Sequence, residues 1–173
     1  MKHWIAIYSQ TGSEIEQLIM HIGRQPTFIF SDREDERRSP FMKQRTGVYS
    51  HNIVEQNIQM NKEAIITLHG YLRVISEISC NVHDNIYNGH PGLITEYPEL
   101  KGKDPQEKIL HSDKEYSIIG SVIHKVIPEV DSGEIIVSKS VENDCKTDDD
   151  VYNKLRKTSM DCWREFFNKG ICE

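Results

Sequence analysis

The sequence predicts an α/β protein built on a mostly parallel sheet, and two observations carry that expectation. The first is a strand, helix, strand order at the start of the chain with no hairpin turn between the strands, which requires a crossover and therefore parallel pairing. The second is residues 64–68, Ala64-Ile65-Ile66-Thr67-Leu68, an uncharged and β-branched run that reads as a strand buried on both faces.

Each element follows from its pattern. Trp4-Ile5-Ala6-Ile7-Tyr8 is a compact apolar run. Gln10-Thr11-Gly12-Ser13 breaks it, and Ile15, Leu18, Ile19 and Ile22 then recur at helical spacing up to Gly23. Thr27-Phe28-Ile29-Phe30 gives the next strand. Residues 32–40 mix charges of both signs and end in Ser39-Pro40, the composition of a solvated loop. Ile53, Val54, Ile58 and Met60 fit a modest helix before the central strand. Residues 74–79 lead into a short extended segment that carries Asn81 and His83 at its end, after which Asn88-Gly89 and Pro91-Gly92 are loop signals. A polar stretch from Tyr97 to Asp113 holds a bend at Lys101-Gly102-Lys103-Asp104 and a short helix from Pro105. Residues 117–127 and 133–138 read as neighbouring strands joined by Pro128-Glu129-Val130-Asp131-Ser132. Thr147 with Asp148, Asp149 and Asp150 opens the last helix, because acids are favoured at its positive end. Val151, Leu155, Cys162, Phe166 and Phe167 supply its buried face.

The chain has 173 residues, enough for a single domain over 1–173 with its own core. A hydrophobic fraction of 37% and a charged fraction of 28% suit a globular protein, and a formal charge of −6 argues against an obligate nucleic-acid partner. No apolar run approaches the ~18 to 20 residues of a membrane span, and the N-terminus has no signal-peptide core, so the expected location is cytoplasmic. Cys80, Cys145, Cys162 and Cys172 share no CxxC spacing and read as free thiols, Cys80 as core packing. The oligomeric state leaves no mark in the sequence.

The chemistry concentrates in residues 80–93, where an apolar run stops and proton-handling side chains follow. In extended chain, residues two apart project to one side, which brings the Asn81 carboxamide and the His83 imidazole to one pocket. An amide donor beside a titratable ring suits stabilisation of a developing oxyanion together with proton transfer. His83, Asp84, His90 and His111 match no standard zinc spacing, so no metal site is expected. Ser9-Gln10-Thr11-Gly12-Ser13 follows a strand and opens a helix, a place that attracts anions, but it lacks GxGxxG.

Asn81-Val82-His83, His90-Pro91-Gly92-Leu93, Asp131-Ser132-Gly133, residues 70–76 and residues 7–13 occur in the order of the motifs of the folate-dependent formyltransferases, and the chain resembles that family. The resemblance implies a three-layer Rossmann-like fold, with a mostly parallel sheet between helices on both faces. It also implies transfer of a formyl group from 10-formyltetrahydrofolate to the amine of a small-molecule acceptor, such as a nucleotide or nucleotide-sugar, through a tetrahedral intermediate. By that resemblance Asn81 and protonated His83 donate to the oxyanion, while Asp131 holds His83 charged and orders a water. Leu72, Arg73, Val74 and Ile75, with Ile127, Val130 and Asp131, hold the folate, and Gly12, Ser13 and Gly92 contact the acceptor.

The acceptor half departs from the family. Glu14 stands where the glycinamide ribonucleotide enzymes have an Asn beside the phosphate, and Ser159 where they have a Glu for the amine. A carboxylate beside a phosphate repels it, so weak or absent activity on glycinamide ribonucleotide is expected. Two other readings use the same residues: a hydrolase releasing formate from the same donor, and a non-catalytic folate-binding module.

Overall fold

The computed structural model describes residues 2–170, so the reading of Cys172 lies outside the described residues. Seven strands form one sheet in the order β3-β2-β1-β4-β5-β6-β7. They are β1 (Trp4–Tyr8), β2 (Phe28–Ser31), β3 (Thr46–Val48), β4 (Ile65–His69), β5 (Ile86–His90), β6 (Ile118–Lys125) and β7 (Ile135–Glu142). The first five are parallel, and β5 pairs with β6 and β6 with β7 antiparallel. The expected central strand is β4, the fourth of seven, with every residue buried.

Helices cover both faces. Alternation along β1 sends Trp4, Ala6 and Tyr8 to one side and Ile5 and Ile7 to the other. The first side packs on Ile15, Leu18 and Ile19 of α1 (Ser13–Ile22) and on Met160, Cys162, Trp163 and Phe166 of α6 (Asp148–Asn168). The second packs on Val54 and Ile58 of α3 (His51–Met60), while Ile53 and Met60 of the same helix stay exposed. A third cluster, including Leu93, Leu100, Ile109, Tyr116, Val122 and Leu155, lies under the polar stretch before β6, and α5 (Pro105–His111) belongs to it. α6 starts where its sequence indicates: Thr147 accepts from the Asp150 amide and Asp150 from the Thr147 amide, a reciprocal cap. Cys80, Cys145 and Cys162 are free. No described helix is long and apolar enough to cross a membrane.

Three expectations are corrected. The charged stretch 32–40 is a loop with Arg33, Glu34, Glu36 and Arg37 exposed, but it is not solvated throughout. Arg38 is buried, donating to the Gln10 carbonyl and Ser31 Oγ and lying 5.0 Å over the Tyr8 ring; Ser39 then caps a helix, α2 (Pro40–Arg45). Residues 77–82 are helical (α4, Glu77–Val82), capped by Ser76, instead of extended. The strand begins only at Ile86 and includes Asn88 and Gly89, which carry the turn signal. Gly89 is tolerated there because Trp163 packs against it: a Cβ on Gly89 would come within 2.9 Å of the indole nitrogen.

Candidate active site

The helix and strand boundaries separate residues that were expected to share one pocket. Asn81 lies exposed in α4, and His83 follows it, buried, its Nε2 donating to the Asn61 carbonyl at 3.0 Å and its Nδ1 accepting from the Asn85 amide. Neither touches Asp131. The pair expected to share a pocket is therefore separated from the carboxylate that was to orient it.

Asp131 instead meets a second Asn-x-His, Asn88-Gly89-His90, at the end of β5. Here the backbone is extended, so Asn88 and His90 project to the same side of the sheet. Asp131 Oδ2 lies 3.4 Å from His90 Nδ1, and Oδ1 lies 3.2 Å from His124 Nε2. His124 is paired with Asn88 across β5 and β6, and the Asn88 carboxamide stands 3.2 Å from the same Nε2. The other nitrogen of each ring faces a backbone carbonyl, His90 Nε2 donating to Leu100 at 2.9 Å and His124 Nδ1 donating to Lys125 at 2.9 Å. The carboxylate is held in turn by the Gly102 amide at 2.8 Å, and Lys101 donates to Ser132 Oγ. Residues 98–104 thus close over the site. Asp131 itself has φ 51°, a left-handed conformation that Asp tolerates and bulkier residues do not.

Burial alone would raise the Asp131 carboxyl. The His124 hydrogen bond, the charge of His90 and the Gly102 amide outweigh it and bring the carboxyl down to about 2. At His90 burial wins: it pushes the imidazole below its ordinary value, although Asp131 and the Leu100 carbonyl pull the other way.

The remaining expected site residues fall in four places. Residues 70–76 join β4 to α4, with Leu72 and Val74 exposed, Ile75 buried, and Arg73 bonded to Asp32. The Leu72 amide donates to Ser9 Oγ. In the turn after β6, Ile127 is half-buried and Val130 exposed. Gly12 and Ser13 line a cleft of about 480 Å³, together with Glu14, His69, Gly89, Pro91, Arg156 and Ser159 among others. Gly92 sits in the turn after β5, its amide donating to the His90 carbonyl, and does not line the cleft. Gly89 and Pro91 flank His90, so the cleft opens onto the same strand end.

Glu14 and Ser159, read separately as departures from the family, are in contact: Ser159 Oγ donates to Glu14 Oε2 at 2.6 Å. Trp163 Nε1 and His69 Nδ1 both bond Oε1 at 2.8 Å. Burial pushes this carboxyl up, and the three donors, His69 foremost, more than reverse it, so it is held below its ordinary value. The cleft therefore does contain a fixed acid, supplied by α1 instead of α6.

Sequence reasoning missed Asn88, His90 and His124 as site residues. The signal for the first two was present as a second Asn-x-His seven positions on, and for His124 as an imidazole in the mainly apolar run that became β6.

Comparison with known proteins agrees with this architecture. The formyl transferase family model matches residues 5–163. Phosphoribosylglycinamide formyltransferase of Bacillus subtilis is 27% identical over 120 residues, covering 69% of this chain and 54% of that protein. Methionyl-tRNA formyltransferase of Thermotoga maritima is 31% identical over 84 residues, covering 48% of this chain and 25% of that protein. The chain thus spans about half or less of the length of these relatives. Among solved structures, phosphoribosylglycinamide formyltransferase from Campylobacter jejuni superposes with a TM-score of 0.80 at 20% identity, over 96% of this chain and 98% of that one, a likeness of fold. With the family model running from β1 into α6 over residues 5–163, the chain belongs to the formyl transferase family.

Proposed function

We propose that the protein is an N-formyltransferase that takes its formyl group from 10-formyltetrahydrofolate and passes it to the amine of a small-molecule acceptor, with Asn88, His90 and Asp131 as its catalytic residues. The observation that carries this reading is the Asp131 carboxylate bridging His90 and His124 beside Asn88, at the end of a strand whose flanking residues open into a cleft.

The donor supplies an activated formyl carbon, and the acceptor nitrogen attacks it. Negative charge then develops on the formyl oxygen while a proton moves from the attacking nitrogen toward the departing one. Asn88 contributes a carboxamide donor to that oxygen, and His90 reaches it by exchanging the Leu100 carbonyl for the oxyanion as the partner of its Nε2 proton. Asp131, ionised across the physiological range, favours the charged ring of His90 against the opposing effect of burial. The chain also fits a folate. Leu72, Val74 and Val130 leave apolar side chains exposed on the two segments that the family resemblance assigns to the donor, where a flat ring system would cover them.

The test follows consumption of 10-formyltetrahydrofolate in the presence of amines, beginning with phosphoribosylglycinamide. Asn88→Ala, His90→Ala and Asp131→Ala are each expected to lower turnover by about 10² or more, while Asn81→Ala stays within a few-fold of the parent. Equal losses for Asn81→Ala and Asn88→Ala would return the site to α4. Formate production that ignores every added amine would make the protein a hydrolase.

A further inference from the structure

Among the residues lining the cleft, Glu14 is the one acid, and its surroundings are unusual for a carboxylate. Its side chain is a quarter exposed, and the side chain of its partner His69 is almost fully buried. Trp4 Nε1 donates to Thr67 Oγ1 at 2.8 Å, and Thr67 Oγ1 lies 2.9 Å from His69 Nε2. The assignment that satisfies every one of these buried groups has the Thr67 hydroxyl donating to Nε2, which leaves the ring proton on Nδ1, directed at Glu14. In that assignment Glu14 meets three donors, the His69 N–H, the Trp163 N–H and the Ser159 hydroxyl. Arg156 lines the same cleft without an ion pair or hydrogen bond to Glu14 among the described residues. A carboxylate offers about four acceptor positions, so three donors leave roughly one open, on Oε2, where only Ser159 is bound. The charge is fixed in place, has no lysine or arginine bonded to it among the described residues, and keeps an acceptor position free toward a cavity.

The group lies against the reacting end of the sheet. Trp163, whose indole nitrogen bonds Glu14 Oε1, fills the space left by the missing side chain of Gly89, between Asn88 and His90. Resting on the formyl-transfer reading above, we propose that Glu14 is the recognition group for the acceptor's amine, which arrives as a primary ammonium seated between the Glu14 carboxylate and the end of β5. His69, Trp163 and Ser159 are positioning residues that fix the carboxylate without neutralising it. This is a binding role: the ammonium gives up one proton to solvent in the open cleft before its nitrogen attacks, and no bond is made or broken at Glu14.

The chain contains two tryptophans, and each indole N–H reports a different place: Trp4 the Thr67 hydroxyl, Trp163 the Glu14 carboxylate. The experiment is a titration of the ¹⁵N-labelled protein with glycinamide, a primary ammonium at neutral pH, and separately with N-acetylglycinamide, its uncharged counterpart. Glycinamide is expected to shift the Trp163 indole resonance saturably at millimolar concentrations, and N-acetylglycinamide to leave it in place. In Glu14→Gln, with the Trp4 resonance and spectral dispersion retained, the glycinamide affinity falls by about tenfold or more. No shift with glycinamide, an equal shift with N-acetylglycinamide, or full affinity in folded Glu14→Gln overturns the proposal. If Glu14→Gln does not fold, the comparison of the two titrants on the parent protein decides. Tetrahydrofolate titrated into the same sample separates the two readings. Folate binding without amine binding sinks this proposal alone, and amine binding without folate binding sinks the formyl-transfer reading.

Discussion

Asp131 combines a left-handed backbone, two histidine neighbours and a backbone amide on one carboxylate. Its carboxyl is lowered from 3.8 in the unfolded chain to about 2 in the folded one. The unfolded chain therefore binds the proton first, and the stability this group contributes is fully present above pH 3.8 and is lost as pH falls toward about 2. The shift corresponds to about 2 kcal/mol. Asp131→Asn keeps a side chain that accepts the left-handed conformation and removes the titration. Urea unfolding at stepped pH is expected to show the variant less stable than the parent near neutrality, with the gap closing below pH 3.8. A gap that stays constant across that range would mean that Asp131 acts by packing alone. Asp131 was legible only through the family resemblance, because a carboxylate two residues before Gly133 is by itself an ordinary turn residue. Its histidine partners were not, because that depended on which of two Asn-x-His motifs lies in extended chain. In a helix, residues two apart are turned by about 200° around the axis, so Asn81 could never share a pocket with a residue two positions on.

Helix α4 explains that confusion at the level of an element. It is six residues long, too short to show a period, and its Val74, Ile75 and Ile78 neighbourhood has the composition of a strand. Beside its local Ser76 cap, what fixes it comes from elsewhere in the chain. Glu55 of α3, buried, accepts from the Ser76 amide at 2.8 Å, from the Ser76 hydroxyl at 2.6 Å and from the Ser79 hydroxyl, so it fixes the first turn of α4 and the end of the 70–76 loop together. No local pattern announces a contact with a residue 21 positions back. The elements that were legible, β1, α1, β4 and α6, each carry their own signal in period, cap or composition. Glu55→Gln sets an amide N–H₂ against groups that are themselves donors, and one such unmet buried group costs about 1–3 kcal/mol. The expected outcome is a stability loss of about 2 kcal/mol in denaturant and weaker tetrahydrofolate binding from the loosened 70–76 loop. Unchanged folate affinity in a destabilised variant would show that the loop needs no support from α3.

At the scale of the molecule, the parallel order from β3 to β5 and the turn to antiparallel pairing at β6 put the site on a seam. Asn88, His90 and Glu14 come from one side of it in sequence, and His124, Asp131, Ser159 and Trp163 from the other. Between them run Ser112, Asp113, Lys114 and Glu115, all exposed and outside any helix or strand. The parallel class was readable from the first sixty-eight positions; the seam was not, because an antiparallel strand added to a parallel sheet is specified by partners far away in the chain. That arrangement makes the protein a natural two-piece reporter. Cut between Asp113 and Lys114, the chain yields a fragment with five strands and the Asn-x-His, and a fragment with one hairpin, the last helix and the carboxylate. Each is expected to be inert by itself. Mixed, they are expected to regain formyl transfer at a rate that rises with the concentration of both, so that activity counts reunited molecules, and turnover by the larger fragment alone would show that the carboxylate side is dispensable.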